Sequence, residues 1–303
     1  MSDRLFQTLP IRQARSFLWG WLLPLVILPV LAFSPKLLAQ DVKGAEAAFN
    51  EGIQYIQQGK VNEATAAFQR ASQLNPKMAA AHYNLGLTLR QQGQLQPAAT
   101  AFYQATQVDP EFALAYANLG AALLEGNNLP QAIAYLQRAI ELDPKLALAH
   151  YNLGLVHEQQ GRWDQAAALF KRAIELTPKS PEAHYHLGYV YQRQGKLREA
   201  TAALQESIKL NPKYAEAHYS MGSLLFDQGN FEGALASFRR SAEANSNYAN
   251  AYYGAGLAFL RLNRPADARQ VLQYAKDLYI RQGNTAWANR AEQQLQRTQS
   301  SSR

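Results

Sequence analysis

The heptapeptide AHYNLGL occupies residues 81–87 and returns unchanged at 149–155. The offset, 68, is twice 34, and near-copies fall on the same ladder: AYANLGA at 115–121, AHYHLGY at 183–189 and AHYSMGS at 217–223. A period of this length, held this strictly, marks stacked supersecondary units, because one such unit alone cannot bury its apolar face.

Seven units of that length lie end to end: 45–78, 79–112, 113–146, 147–180, 181–214, 215–248 and 249–282. Position 8 is glycine in every unit, as Gly52, Gly86, Gly120, Gly154, Gly188, Gly222 and Gly256. Position 20 is alanine in every unit, as Ala64, Ala98, Ala132, Ala166, Ala200, Ala234 and Ala268. Position 32 is proline in the first five, from Pro76 and Pro110 through Pro144 and Pro178 to Pro212. Each unit reads as two helices, of which ALAHYNLGLVHEQQ and WDQAAALFKRAIELT in the fourth are examples. Gly161 between them supplies the positive φ that a helix exit favours. Gly93, Gly195 and Gly229 take that place elsewhere, and Asn127 and Asn263 fill it in two units. Gly at position 8 and Ala at position 20 are expected on facing helices, where a larger side chain would overpack the contact. Proline at position 32 ends the second helix.

Leu85, Gly86, Ala98, Phe102, Ala105 and Pro110 of the second unit fall at the signature positions of the tetratricopeptide repeat, and the array is identified as a member of that family. The resemblance covers 45–282 and implies an all-α, right-handed superhelix (an α-solenoid) whose first helices line a concave groove. Departures are His82, His150, His184 and His218 at position 4, read as an aromatic packing position, Ser207 and Ser241 for alanine at position 27, and Ser246 for proline. After Gly283-Asn284, TAWANRAEQQLQ reads as a capping helix over 283–297, with Thr285 as its N-cap and 298–303 as a disordered tail. Its polar outer face would close the last apolar edge, as such arrays require.

Ahead of the array lie a basic segment (1–15), an uncharged stretch SFLWGWLLPLVILPVLAFS (16–34) and a linker (35–44). Nineteen residues make a helix of about 28 Å, close to the thickness of a bilayer core. Arg4, Arg12 and Arg15 precede it, and small residues up to Ala39 follow. That order describes a secretory signal cleaved near Ala39 or a retained transmembrane anchor, with a cytoplasmic N-terminus and the array on the far side of the membrane. The expected location is membrane-anchored or exported, on a periplasmic, extracytoplasmic or thylakoid side.

The chain carries 30 basic and 23 acidic residues, a net +7. Arg4, Arg12, Arg15 and Lys36 face only Asp3 in the segment 1–40, so 26 basic side chains face 22 acidic ones in the rest. Those charges are mixed along the sequence, with no basic stripe of the kind nucleic-acid binding needs. The absence of cysteine excludes disulfides, thiolate metal sites and cysteine nucleophiles. His184 and His186, two residues apart, lie on different helix faces, so no metal site is expected. No nucleophile elbow, phosphate loop or paired carboxylates occur, and neither a catalytic function nor a cofactor is expected.

Position 6 is asparagine in the first four units, as Asn50, Asn84, Asn118 and Asn152. An amide both donates and accepts, so a row of them can pair with a peptide backbone without reading its sequence. This pattern resembles the asparagine ladder of O-GlcNAc transferase superhelices; local hydrogen bonding is the alternative. Position 5 carries rings, among them Tyr83, Tyr151, Tyr185 and Tyr219, suited either to an apolar partner segment or to packing between helices. Lysine and arginine are missing from position 2, so the clamp that some repeats of this family use for C-terminal carboxylates is not formed. The style of the repeat resembles bacterial and especially cyanobacterial members. The expected function is a non-catalytic scaffold that holds another polypeptide in its groove and assists assembly of a membrane-associated or exported complex. The alternatives are an accessory or regulatory subunit of an enzyme complex, and a self-associating structural protein, so that homo-oligomers stay open.

Overall fold

The computed structural model describes residues 35–300, all of whose regular elements are helices. The segments 1–15 and 16–34 and residues 301–303 lie outside the described residues. Among the described residues the chain divides between Gln40 and Asp41, and the packing below concerns those from Asp41 on. The first helices of the seven units are α1 (Pro35–Gln57), α3 (Ala79–Gln91), α5 (Ala113–Glu125), α7 (Ala147–Gln159), α9 (Pro181–Arg193), α11 (Ala215–Asp227) and α13 (Ala249–Arg261). The second helices are α2 (Val61–Leu74), α4 (Leu95–Val108), α6 (Leu129–Leu142), α8 (Trp163–Leu176), α10 (Leu197–Leu210), α12 (Phe231–Ala244) and α14 (Pro265–Arg281), and α15 (Thr285–Ser300) follows.

The turn within each hairpin is set by one residue. Gly93, Gly161, Gly195 and Gly229 have φ between 69° and 79°, and Asn127 and Asn263 have 59° and 55°. Asn tolerates this left-handed region better than other residues with a Cβ. Between units, the side chains of Asn75, Asp109, Asp143, Asn211 and Asn245 each accept the N–H two residues on. Asn245 makes that bond at 3.0 Å, which is why the sixth unit turns correctly with Ser246 in place of proline.

The two small positions act differently. All seven position-20 alanines are fully buried at the hairpin crossing. The position-8 glycines lie under the bulky residue at position 24. A Cβ on Gly86 would stand 2.7 Å from the Phe102 ring, one on Gly154 2.7 Å from Phe170, one on Gly222 2.6 Å from Phe238, and one on Gly188 2.8 Å from Leu204. At Gly120 a Cβ would lie 2.5 Å from Leu136 and 3.2 Å from the backbone oxygen of Ala132. Glycine is required because the neighbouring ring or leucine occupies the space of its missing side chain. Ser207 and Ser241 fit where alanine is usual because each hydroxyl donates at 2.8 Å to a carbonyl of its own unit's first helix, of Pro181 and Ala215 respectively.

The histidines at position 4 do more than pack. Nε2 of His82, His150, His184 and His218 donates to the carbonyls of Pro76, Pro144, Pro178 and Pro212, at 2.9 to 3.0 Å. Each ties a unit to the turn before it, satisfying a turn carbonyl that no backbone N–H takes.

The expected boundaries shift at both ends. The stretch expected as a linker, 35–44, is helical, since α1 begins at Pro35. Proline is pre-organised for a first helical position, and Leu, Ala, Gln and Lys sustain a helix after it. At the other end α15 runs to Ser300, past the expected limit of 297, with Thr298 fully buried and accepting a hydrogen bond from Arg269. Its N-cap is Asn284, whose Oδ1 accepts the Trp287 N–H at 3.3 Å, so Thr285 is the first helical residue and not the cap. The first unit carries Glu51 at position 7, where the next four carry leucine, and Glu51 bonds Arg70 and the Tyr55 hydroxyl. The first unit therefore presents a charged side chain in place of that leucine.

Candidate functional site

First helices pack on successive first helices, α5 on α7 and α11 on α13 among them, whereas second helices pack on first helices. The first helices of the units are therefore on the inner side of the curve, and their outward positions 2, 5, 6, 9, 12 and 13 form its wall.

The four asparagines do not behave alike. Asn50 is exposed and Asn84 half-buried, its Nδ2 donating to the Ala80 carbonyl at 2.9 Å. Asn118 is 4% exposed; its Nδ2 donates to the Leu114 carbonyl at 2.9 Å and to the Tyr83 hydroxyl at 3.2 Å. Asn152 is 5% exposed, and its Nδ2 is buried without a partner. Part of the difference traces to position 5 of the preceding unit. Tyr83 stands before Asn118, but Ala117 stands before Asn152 and has no hydroxyl to offer. The tyrosine-to-position-6 link recurs as Tyr185 with Ser220, and as Tyr151 against the ring of His186 at 5.7 Å. Position 6 also meets position 24 of the unit before it. His186 stacks on Phe170 at 5.4 Å, and Gly254 is small because a Cβ there would lie 2.7 Å from Phe238. The structure thus brings Asn118 and Asn152 into the seam between units and leaves Asn50 and Asn84 at the groove.

The position-5 tyrosines are half-buried ring partners. Tyr83 lies 5.7 Å from Phe102 and 5.0 Å from Phe112, Tyr151 5.8 Å from Phe170, Tyr185 5.1 Å from Tyr214, and Tyr219 5.6 Å from Phe238 and 5.4 Å from Tyr248. Burial raises all four phenols, taking that of Tyr151 up to about 12. Each ring packs within its own unit and stays partly exposed.

What reading of positions 5 and 6 missed lies at positions 12, 13 and 17. Leu124 and Glu125 of α5, Leu155, Glu158 and Gln159 of α7, Trp163 and Tyr189 line a pocket of about 610 Å³. Glu125 accepts from Arg90 Nε at 2.9 Å, and Glu158 pairs with His186 Nδ1, also at 2.9 Å. Gln192 and Asp227 extend this polar edge toward the C-terminal units. Down the repeat these positions also carry Arg90, Gln192 and Arg193, so no acidic cluster stands out in the sequence. Among the described residues there is no group of three or more His, Asp or Glu side chains placed to hold a metal ion. No described helix is long and apolar enough to cross a membrane.

Hairpins of this length, with glycine under a bulky position 24 and successive first helices forming one wall, define a tetratricopeptide-repeat protein. The profile of the family described as Cilia and flagella-associated protein 70 C-terminal domain matches residues 31–255, and the chain belongs to that family of repeat domains. No curated protein sequence matches it. Among solved structures it is similar to a chain of the APC/C hetero-tetramer Cut9-Hcn1 (TM-score 0.65, 21% identity, 74% of this chain and 44% of that one). It is also similar to a tetratricopeptide repeat protein from Parabacteroides merdae (TM-score 0.64, 19% identity, 85% and 99%). A third is YrrB, described as a TPR protein with an unusual peptide-binding site (TM-score 0.50, 28% identity, 64% and 99%). The first two show the shared fold, and the chain spans less than half the length of the Cut9-Hcn1 chain. A tetratricopeptide-repeat fold of this kind is a scaffold for protein–protein interaction.

Proposed function

We propose that the protein is a non-catalytic scaffold that holds a partner polypeptide along the inner wall of the array, and that it serves the assembly of a membrane-associated or exported complex. The observation that carries the groove is the row of inner-wall side chains left half-exposed by the packing, interrupted at the third unit, where Ala117 and Ala121 are buried. Ile53, Leu87, Leu155, Tyr189 and Leu257 at position 9 alternate with the partly exposed position-5 rings. Exposed apolar surface arranged in a line suits an extended or helical partner segment. Asn50 and Asn84 add amides able to pair with its backbone, while Asn118 and Asn152 shape the wall from within. A peptide-binding site in YrrB, a protein of the same fold, supports this reading. The membrane or export role rests on the charge order and apolar length of residues 4–39 in the sequence.

A photo-crosslinking amino acid placed in turn at 53, 87 and 155, and as controls at 66, 100 and 202 on the second helices, tests the groove. Adducts with a partner from the first set alone are expected. Equal or stronger adducts from the control set would overturn the groove. Fractionation of cells, with N-terminal sequencing of the mature chain, tests the location. Recovery of the full-length chain from the cytosol would end the export reading.

A further inference from the structure

The pocket of Leu124, Glu125, Leu155, Glu158, Gln159, Trp163 and Tyr189 combines an apolar floor with an acidic edge. Trp163 and Tyr189 meet edge to face, with centroids 6.3 Å apart. Two carboxylates and no basic side chain line it, although basic residues outnumber acidic ones, 30 to 23, over the whole chain. Its lining is acidic, and Arg90 and His186 each pair with one of the two carboxylates from outside it. Each carboxylate keeps an oxygen uncommitted. Arg90 takes Oε1 of Glu125, leaving Oε2, and His186 takes Oε2 of Glu158, leaving Oε1. The chain already lays a cation on this indole, with the Arg193 guanidinium 5.2 Å from the ring centre.

Lysine and arginine are the side chains whose chemistry answers both features. Their aliphatic stems cover apolar surface while the charged head stays at the polar edge. A guanidinium or ammonium also gains from carboxylate oxygens and from aromatic faces. A purely apolar occupant would leave the free oxygen of each carboxylate unpaired, and an acidic one would meet like charge.

We propose that this pocket receives a lysine or arginine side chain of the partner, and that the scaffold selects basic segments at its fourth unit. The proposal rests on the reading that the partner lies along the inner wall. It adds that the register of the bound segment is set at Glu125, Glu158 and Trp163.

Fluorescein-labelled twelve-residue peptides of alternating alanine and arginine, alanine and glutamine, and alanine and glutamate test it on the full-length chain by anisotropy. The arginine peptide is expected to bind at least tenfold more tightly than the glutamine peptide, and to weaken severalfold between 50 and 300 mM NaCl, as exposed charge pairs do. The double variant Glu125→Gln, Glu158→Gln, which keeps the shape, should lose most of that preference. Thermal unfolding of the variant confirms that it is folded, and Glu243→Gln on α12 serves as a control expected to bind normally. Equal affinity for the arginine and glutamine peptides, absence of binding, or an unchanged double variant would overturn the proposal. Amide hydrogen exchange of the protein with each peptide bound separates the two levels. Protection of α5, α7 and α9 by both peptides alike leaves the groove standing and refutes the basic preference. Protection of second helices alone refutes the groove itself.

Discussion

Gly86 and Gly44 test the packing by one chemical change with opposite outcomes. In an exposed helix, glycine to alanine stabilises by about 1 kcal/mol, because glycine loses more backbone freedom on folding. At Gly44 the new methyl would lie 3.4 Å from Leu74 Cδ1, an ordinary contact, so Gly44→Ala should keep that gain. At Gly86 the methyl would lie 2.7 Å from two carbons of Phe102. That ring is fully buried and held by Tyr83 at 5.7 Å, so it cannot swing away. Overpacking of this kind costs about 1–3 kcal/mol. Set against the propensity gain, Gly86→Ala should destabilise by about 1 kcal/mol. For an array of this size, about 1 kcal/mol moves the melting temperature by about 2–4 °C. Circular dichroism melts should therefore show Gly44→Ala above the wild type and Gly86→Ala below it, with hydrogen exchange locating the first effect in α1. A Gly86→Ala protein as stable as the wild type would refute the close contact of positions 8 and 24 on which the whole array is built.

Three further outcomes follow from the same geometry. Asn118→Ala should cost about 1 kcal/mol in urea unfolding, since it leaves the Tyr83 hydroxyl unpaired; Asn152→Leu should be neutral or stabilising, because it removes the orphaned Nδ2, and equal losses at both sites would contradict the account of Ala117. Ala255 stands at position 7, where units two to five carry leucine, and the cleft beside it between α12, α13 and α14 is about 690 Å³ against 480 Å³ at the equivalent Leu187; Ala255→Leu should raise stability by about 1 kcal/mol, as burial of added methylenes does, and a lower melting temperature would show that Phe238 and Phe259 already close the space. Burial holds the phenols of Tyr151 and Tyr248 at about 12 against an ordinary 10, so the unfolded chain releases these protons first and stability falls as pH rises from about 10 to 12; urea midpoints measured between pH 9 and 12 should drop, and less steeply in Tyr151→Phe.

The solenoid was legible because its determinants are local or strictly periodic. A positive φ needs glycine or asparagine at one residue, whatever surrounds it, so Gly161 and Asn127 announce their turns. A helix crossing too close for a side chain needs glycine or alanine at one step of the period, so Gly154 and Ala166 announce the hairpin. What the sequence did not reveal were contacts between neighbouring units. Four asparagines at one repeat position look equivalent when written in a column. In the structure two face the groove and two lie in the seam, because each is governed by position 5 and position 24 of the unit before it. The histidines at position 4 looked like packing residues, and only the folded turn brought a proline carbonyl within 3.0 Å of their Nε2. The acidic pocket likewise draws on three units, its carboxylates standing at positions 13 and 12 of successive first helices. Periodicity in the sequence states which side chains a helix presents to its own hairpin. The pitch of the superhelix, a sum of inter-unit contacts, decides which of them are left for a partner.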